Sequence, residues 1–217
     1  MNKVREVRRL LSQCTAKQRR QIFDELRQSV ELHPFETSIN AKAEIILEAL
    51  HRAPELTTRM FRGILGEATF AVTVAPAIIG WKDETPPGNH AYDTALVDSI
   101  GIVRVQSKMQ RRTKGQPLIR NGKGIVEVQR TRTGMKAGKA TRPYRYGEFD
   151  ILAVCMEPSH GRWDSFMYIP ERWLLPRKQD RKLIEILQAV SLEPDDIWTD
   201  NFDTAVVRFR AGARRPK

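Results

Sequence analysis

Apolar positions along the chain change their period several times, and each change marks a boundary. Up to about residue 60 the spacing is helical. Ile22, Leu26 and Val30 recur four apart after Thr15-Ala16-Lys17-Gln18, a capping-box signature. His33-Pro34 predicts a stop. Ser38 is the expected cap of the next helix, which carries Ala43, Ile46, Leu47 and Leu50, and Ala53-Pro54 predicts another boundary. Leu56 to Val74 then predicts one helix with Phe61, Leu65 and Phe70 on its apolar side, Glu67 near its middle and Pro76 at its end.

Beyond that point the period shortens. Ala77 to Trp81 is expected to be a short strand, followed by the breakers Pro86-Pro87-Gly88-Asn89. Tyr92 to Val97 and Ile102 to Lys108 predict adjacent strands joined through Asp98-Ser99-Ile100-Gly101, with Asp98 as a turn residue. Strand side chains alternate, so Val103 and Val105 point into a core while Gln106 and Lys108 share the other face. Ile125 to Gln129 predicts a further strand, Arg130 to Arg142 a basic glycine-containing loop, and Tyr144 to Phe149 a short helical turn. Asp150 to Met156 predicts a buried strand, and Asp164 to Ile169 its hairpin partner across Gly161. A helix is expected from Arg177 to Val190, before the basic end Arg214 to Lys217. This order predicts an α/β fold with a mixed central sheet and helices added at both ends. It divides into a helical accessory region (1–56), a core (57–175) and a C-terminal helix with a basic tail (176–217).

Composition sharpens the picture. A hydrophobic fraction of 41% supports a real core, and the net charge of +11 with a pI near 10.0 favours polyanionic partners. The charge is concentrated: Arg104 to Arg145 holds thirteen Lys or Arg residues against one acidic residue, Glu127. Strand-like and glycine-rich sequence interrupts this block, so it is not an amphipathic membrane-surface helix. Cys14 and Cys155 stand far apart and outside any CxxC pair, which argues against structural zinc and disulfides. Met1 to Leu11 lacks the apolar run of a signal peptide, so the expected location is cytoplasmic.

Candidate chemistry gathers on the two adjacent strands. An aspartate opposite a polar residue and a lysine is a natural seat for a divalent cation beside a phosphodiester. Mg²⁺ takes hard oxygen ligands and offsets charge on phosphate oxygens. Asp93 is the prime expected ligand, with the Val105 and Ser107 carbonyls, the amide oxygen of Gln106, and the Glu67 carboxylate as further donors. Lys108 is expected to hold the attacking water and stabilise the phosphate electrostatically. A rival arrangement takes Glu127-Val128-Gln129 as the same motif, without its lysine. Arg111, Arg112, Lys114, Arg120, Lys123, Arg130, Arg132, Lys136, Lys139, Arg142 and Arg145 are expected phosphate contacts, and Gln110, Gln116 and Asn121 have amides suited to reading bases. Tyr144 and Tyr146 can pack under the sheet or touch DNA, and core packing is the expectation.

These residues resemble the PD-(D/E)XK nuclease superfamily. Tyr92-Asp93 stands in the second-strand position, Gln106-Ser107-Lys108 in the third-strand position, and Gly66-Glu67 matches a helix glutamate found in many members. Tyr144-x-Tyr146, Phe149 to Val154 and Phe166 to Pro170 resemble members with a tyrosine-bearing turn before the fourth strand. The resemblance covers about residues 57 to 170, and departs from the usual pattern at Gln106, where Glu or Asp is common. It implies an αβββαβ core and a Mg²⁺-dependent endonuclease acting on double-stranded DNA. A homodimeric type II restriction enzyme of a prokaryotic cell is the leading form, with a homing or repair nuclease as the alternative. A non-catalytic DNA-binding protein is the reading from another class. RNA ranks lower, because no aromatic stacking sheet is evident.

Overall fold

The computed structural model describes residues 3–29, 33–130, 135–136, 139–140 and 142–216. Two compact units are present, Met1–Thr58 and Arg59–Lys217.

The first unit is helical: α1 (Lys3–Gln13), α2 (Ala16–Ser29), α3 (Pro34–Ile39) and α4 (Ala43–His51). The capping box forms as expected: the Thr15 N–H donates to Gln18 Oε1 at 2.9 Å, and the Gln18 N–H returns to the Thr15 hydroxyl at 3.3 Å. Val30 lies outside the described residues. Ser38 does not cap a helix. It sits inside α3 with its hydroxyl donating to the Phe35 carbonyl at 2.9 Å. Instead Glu36 accepts the Ala43 N–H, so a carboxylate contributed by α3 caps α4.

The division between the units falls within α5 (Glu55–Thr69), which continues through a π-helical turn, Phe70–Val74, and a 3₁₀ turn, Ala75–Ala77. Among the described residues twelve strands follow in chain order: β1 (Lys82–Asp83), β2 (Thr94–Val97), β3 (Ile102–Met109), β4 (Arg112–Thr113), β5 (Gln116–Pro117), β6 (Ile119–Arg120), β7 (Lys123–Glu127), β8 (Met135–Lys136), β9 (Lys139–Ala140), β10 (Ile151–Cys155), β11 (Phe166–Pro170) and β12 (Leu187–Val190). A short helix α6 (Glu157–His160) joins β10 to β11, and α7 (Phe202–Arg210) follows β12. The central sheet has the order β1-β2-β3-β10-β11, parallel only between β3 and β10, so the fold is α/β with a mixed central sheet.

Both faces of this sheet are covered. Leu152 and Val154 pack with Val126, Tyr144 and Trp198 on one side; Ile151, Ala153 and Cys155 pack with Phe70, Val105 and Phe202 on the other. Burial on two faces explains why β10 reads as an unbroken apolar run rather than an alternation. The crossover from β3 to β10 runs through a second sheet of order β12-β7-β6.

Three sequence expectations give way to tertiary structure. Ala77 to Trp81 is a turn rather than a strand, because Gly80 takes a left-handed φ of 86° and leaves Ile79 exposed. Tyr144 to Phe149 is a non-helical turn through Gly147 at φ 88°. The segment 177–190 forms no helix. Its apolar residues meet the edge of β7 instead, and β12 alternates exposed Leu187 and Ala189 with buried Gln188 and Val190. The C-terminal helix is α7, capped by the Asn201 side chain, which accepts the Thr204 N–H at 2.8 Å.

Candidate active site

Strand register builds the site. Thr94 pairs with Val105 across β2 and β3, which sets Asp93, one residue earlier, beside Gln106 and Ser107. The Asp93 N–H donates to the Val105 carbonyl at 3.0 Å, so that carbonyl is engaged. Asp93 Oδ2 accepts the Ser107 N–H at 2.8 Å and also an N–H of the Gln106 amide. Among the described residues no group donates to Asp93 Oδ1, and no cation forms a salt bridge with this carboxylate. Burial pushes its pKa up, against the opposing pull of Lys108 and the Ser107 N–H.

Glu67 lies on α5 beside Gly66, which is buried against Cys155 of β10. Its carboxylate is raised by partial desolvation and by the charge of Asp93, and lowered by Lys108. Lys108 answers in kind: burial pushes its ammonium down, while Asp93, Glu67 and Glu127 pull it up. These mutual effects bring Glu67, Asp93 and Lys108 into one electrostatic cluster. A cleft is lined by Glu67, Ser107, Lys108, Glu127, Arg130 and Arg142.

Gln106 departs from the expected role of oxygen donor to a cation. It is 1% exposed, its Oε1 accepts the Tyr144 hydroxyl at 3.0 Å, and its amide nitrogen faces Asp93. An ionised carboxylate offers only acceptors, so the nitrogen must turn to it and the oxygen away.

The basic block is only partly free. Arg112 places a guanidinium nitrogen 2.8 Å from both Glu157 oxygens, Arg111 pairs with Glu127 at 3.1 Å, and Lys123 reaches Asp195 at 3.2 Å. These three are engaged within the fold rather than open to phosphate. Arg130 and Arg142 line the cleft, although Arg130 also pairs with Glu148 at 2.8 Å. Lys114, Arg120 and Arg145 are exposed. Arg132 and the side chains of Lys136 and Lys139 lie outside the described residues. Gln116 and Asn121 are exposed, but Gln110 is 2% exposed and packed against Gly124, which removes it as a base reader.

Sequence reasoning missed two features. Glu127, at the end of β7, and Gln129, just beyond it, line the same cleft rather than replacing the β3 motif. The signal was Glu127 as the lone acid of the basic block. Tyr144 was expected in the core and is there, 4% exposed, but its hydroxyl is committed to the site.

The donor set fits a hard divalent cation. Two carboxylates, Glu67 and Asp93, form no ion pair among the described residues and stand near the Ser107 backbone, and Mg²⁺ uses one or two carboxylates together with water and phosphate oxygens. Among the described residues no group of three or more His, Cys, Asp or Glu is arranged to hold a metal by itself. No helix among them is long and apolar enough to cross a membrane.

No family model matches the sequence, and a search among curated proteins found no match. Among solved structures, the bacterial homing endonuclease I-Ssp6803I is similar to this chain, at 20% identity and a TM-score of 0.43 over 70% of this chain and 94% of that one.

Proposed function

We propose that this chain is a Mg²⁺-dependent endonuclease that hydrolyses phosphodiester bonds of double-stranded DNA, built on the PD-(D/E)XK plan with Gln106 at the third-strand acidic position. One observation carries the proposal: the Asp93 carboxylate is held by a backbone N–H and a neutral amide, keeps one oxygen free, and shares its electrostatic cluster with Glu67 and Lys108. Such an arrangement costs stability and is made for a ligand that brings positive charge.

Glu67 and Asp93 would hold the ion, while Gln106, whose amide nitrogen also donates to the Ser107 carbonyl at 3.2 Å, orients Asp93. When bound, the metal supplies positive charge against the phosphate oxygens and acidifies water. Hydrolysis adds a water oxygen to phosphorus and breaks the bond to the leaving oxygen; one proton departs from the water and one reaches the leaving group. Lys108 places N–H donors in the cleft for the attacking water and the developing phosphate charge. Arg130 and Arg142 position the phosphate backbone. In its finer form, two copies cut the two strands of a symmetric sequence, the role of a type II restriction enzyme.

Long duplex DNA incubated with and without Mg²⁺ tests this directly. Discrete fragments are expected with the ion alone; a smear would mean cutting without sequence choice. Salt-sensitive binding without cutting in any condition would leave a DNA-binding protein and end the nuclease proposal. Asp93→Ala and Lys108→Ala are expected to lower cutting by about 10²–10³-fold with duplex affinity little changed. Wild-type rates in D93A would reject the site.

A further inference from the structure

Hydrolysis as described above does not require Tyr144, yet this residue is built into the site with unusual firmness. It lies thirty-eight residues from Gln106 in the chain and is 4% exposed. Its carbonyl accepts the Ile184 N–H at 2.9 Å, and its ring packs edge-on against Phe149 at 5.3 Å. Backbone and ring are therefore fixed from two sides. The hydroxyl then donates to Gln106 Oε1, and the ring face meets Lys108 Nζ at 5.6 Å and the Arg130 guanidinium at 5.3 Å.

An amide can be turned either way, and the groups around it decide: the Gln106 nitrogen donates to Asp93 and, at 3.2 Å, to the Ser107 carbonyl. Asp93 asks for a donor, so Gln106 must show it nitrogen and leave its oxygen to the other side. Buried there, that oxygen would be unpaired and costly without a hydroxyl. Burial raises the Tyr144 pKa well above its ordinary value, so the hydroxyl keeps its proton and remains a donor. Tyr144, Gln106 and Asp93 thus form a directed chain of hydrogen bonds ending on the carboxylate. We propose that Tyr144 is a positioning residue: it locks the Gln106 amide in the orientation that donates to Asp93, leaving the other Asp93 oxygen free, while its ring face holds Lys108. The proposal rests on the nuclease reading for its kinetic consequence, but not for its hydrogen-bond consequence.

Tyr144→Phe removes the hydroxyl and keeps the ring. It is expected to lower kcat for cleavage about tenfold, the loss of roughly one hydrogen bond, with KM unchanged. In a Gln106→Met background, where the amide is gone, Y144F is expected to cause no further loss. A packing role would lower kcat equally in both backgrounds, and an unchanged kcat in the single variant would overturn the proposal outright. A second measurement needs no activity. The side-chain amide protons of Gln106, followed by NMR, are expected to exchange slowly in the wild-type chain and rapidly in Y144F. If the wild-type chain cuts no DNA, the nuclease reading fails while this exchange experiment still decides the positioning role. Amide protons as protected in Y144F as in wild type would sink it. Should Y144F fold poorly, Q106M alone must reproduce the loss of kcat at unchanged KM, and wild-type kcat in Q106M would end the proposal.

Discussion

Two aspartates five residues apart, at opposite ends of β2, meet opposite treatment. Asp98 receives both terminal nitrogens of Arg210, at 2.6 and 2.8 Å, and the N–H groups of Ile100 and Gly101, at 2.9 and 3.0 Å. Its carboxyl is held well below the usual range, chiefly by the Arg210 hydrogen bonds. Asp93 receives one backbone N–H and a neutral amide, and burial drives it the other way. Asp150 and Glu157 are likewise ion-paired, with Arg104 and with Arg62 and Arg112. In a chain with 37 Lys and Arg residues, an unpaired carboxylate is not a shortage of cations. Arginine locks these three scaffold carboxylates. Asp93 and Glu67 are left with the half-buried Lys108, and it is there that a ligand can still complete the charge.

The same substitution at both aspartates separates their roles most sharply. Asp93 has a folded pKa raised above its ordinary 3.8, so the folded chain holds that proton more tightly than the unfolded one. The associated stability is present below pH 3.8 and lost as pH rises through the raised value. Asp93→Asn removes this loss. The metal-free variant is expected to melt above wild type at pH 7, while its cutting rate falls by on the order of 10³-fold. Asp98→Asn is expected to do the reverse, melting lower with turnover per folded molecule unchanged. A D93N chain less stable than wild type at pH 7 would mean that Asp93 is a scaffold group after all.

Alternation and one turn were enough to make Asp93, Gln106 and Lys108 legible, because a hairpin fixes which residues face each other within about fifteen positions. What escaped depends on partners distant in sequence. Counting charges identifies a basic block but not that Arg112 is locked to Glu157, forty-five residues on. Gln106 alone does not say which end of its amide faces Asp93; the Asp93 carboxylate and the Ser107 carbonyl call for its nitrogen, and the Tyr144 hydroxyl, brought in by the long crossover, meets its oxygen. The apolar residues from Leu183 to Val190 fit a helix as readily as a strand, and the free edge of β7 decides between them.

Glu171 has a raised pKa outside the site, so a raised pKa alone does not mark it. It is 5% exposed in the 3₁₀ turn after β11, accepts the Gly147 N–H at 2.5 Å, and is pushed to about 7 chiefly by burial. It lines no part of the cleft. Between pH 4.5 and about 7 the folded chain keeps a proton that the unfolded chain releases, so stability falls as pH rises through this window. At about 1.4 kcal/mol for each pH unit, the loss is on the order of 3 kcal/mol. Glu171→Gln is expected to flatten that slope in pH-dependent melting without changing cutting. Loss of cutting in E171Q at unchanged stability would place Glu171 in the site.

Glu157 supplies the smallest and most discriminating case. It sits between Arg62, at 2.6 Å, and Arg112, at 2.8 Å, and Arg62 belongs to the same helix as Glu67. Although burial raises its carboxyl, the two arginines together prevail and hold it below its ordinary 4.5. A depressed pKa reverses the sign argued for Glu171: the contribution is present above pH 4.5 and lost as pH falls through the lower folded value. Glu157→Gln keeps the shape and one acceptor but leaves two guanidiniums facing each other. A loss of about 1–2 kcal/mol at pH 7 is expected, shrinking toward zero in acid. Turnover is the deciding measurement. If scaffold and site are separate, E157Q melts earlier and cuts at the wild-type rate when folded. If cutting falls at temperatures where the variant is fully folded, then the Arg62–Glu157–Arg112 cluster sets the pose of Glu67, and the boundary between matched and unmatched carboxylates runs through α5 itself.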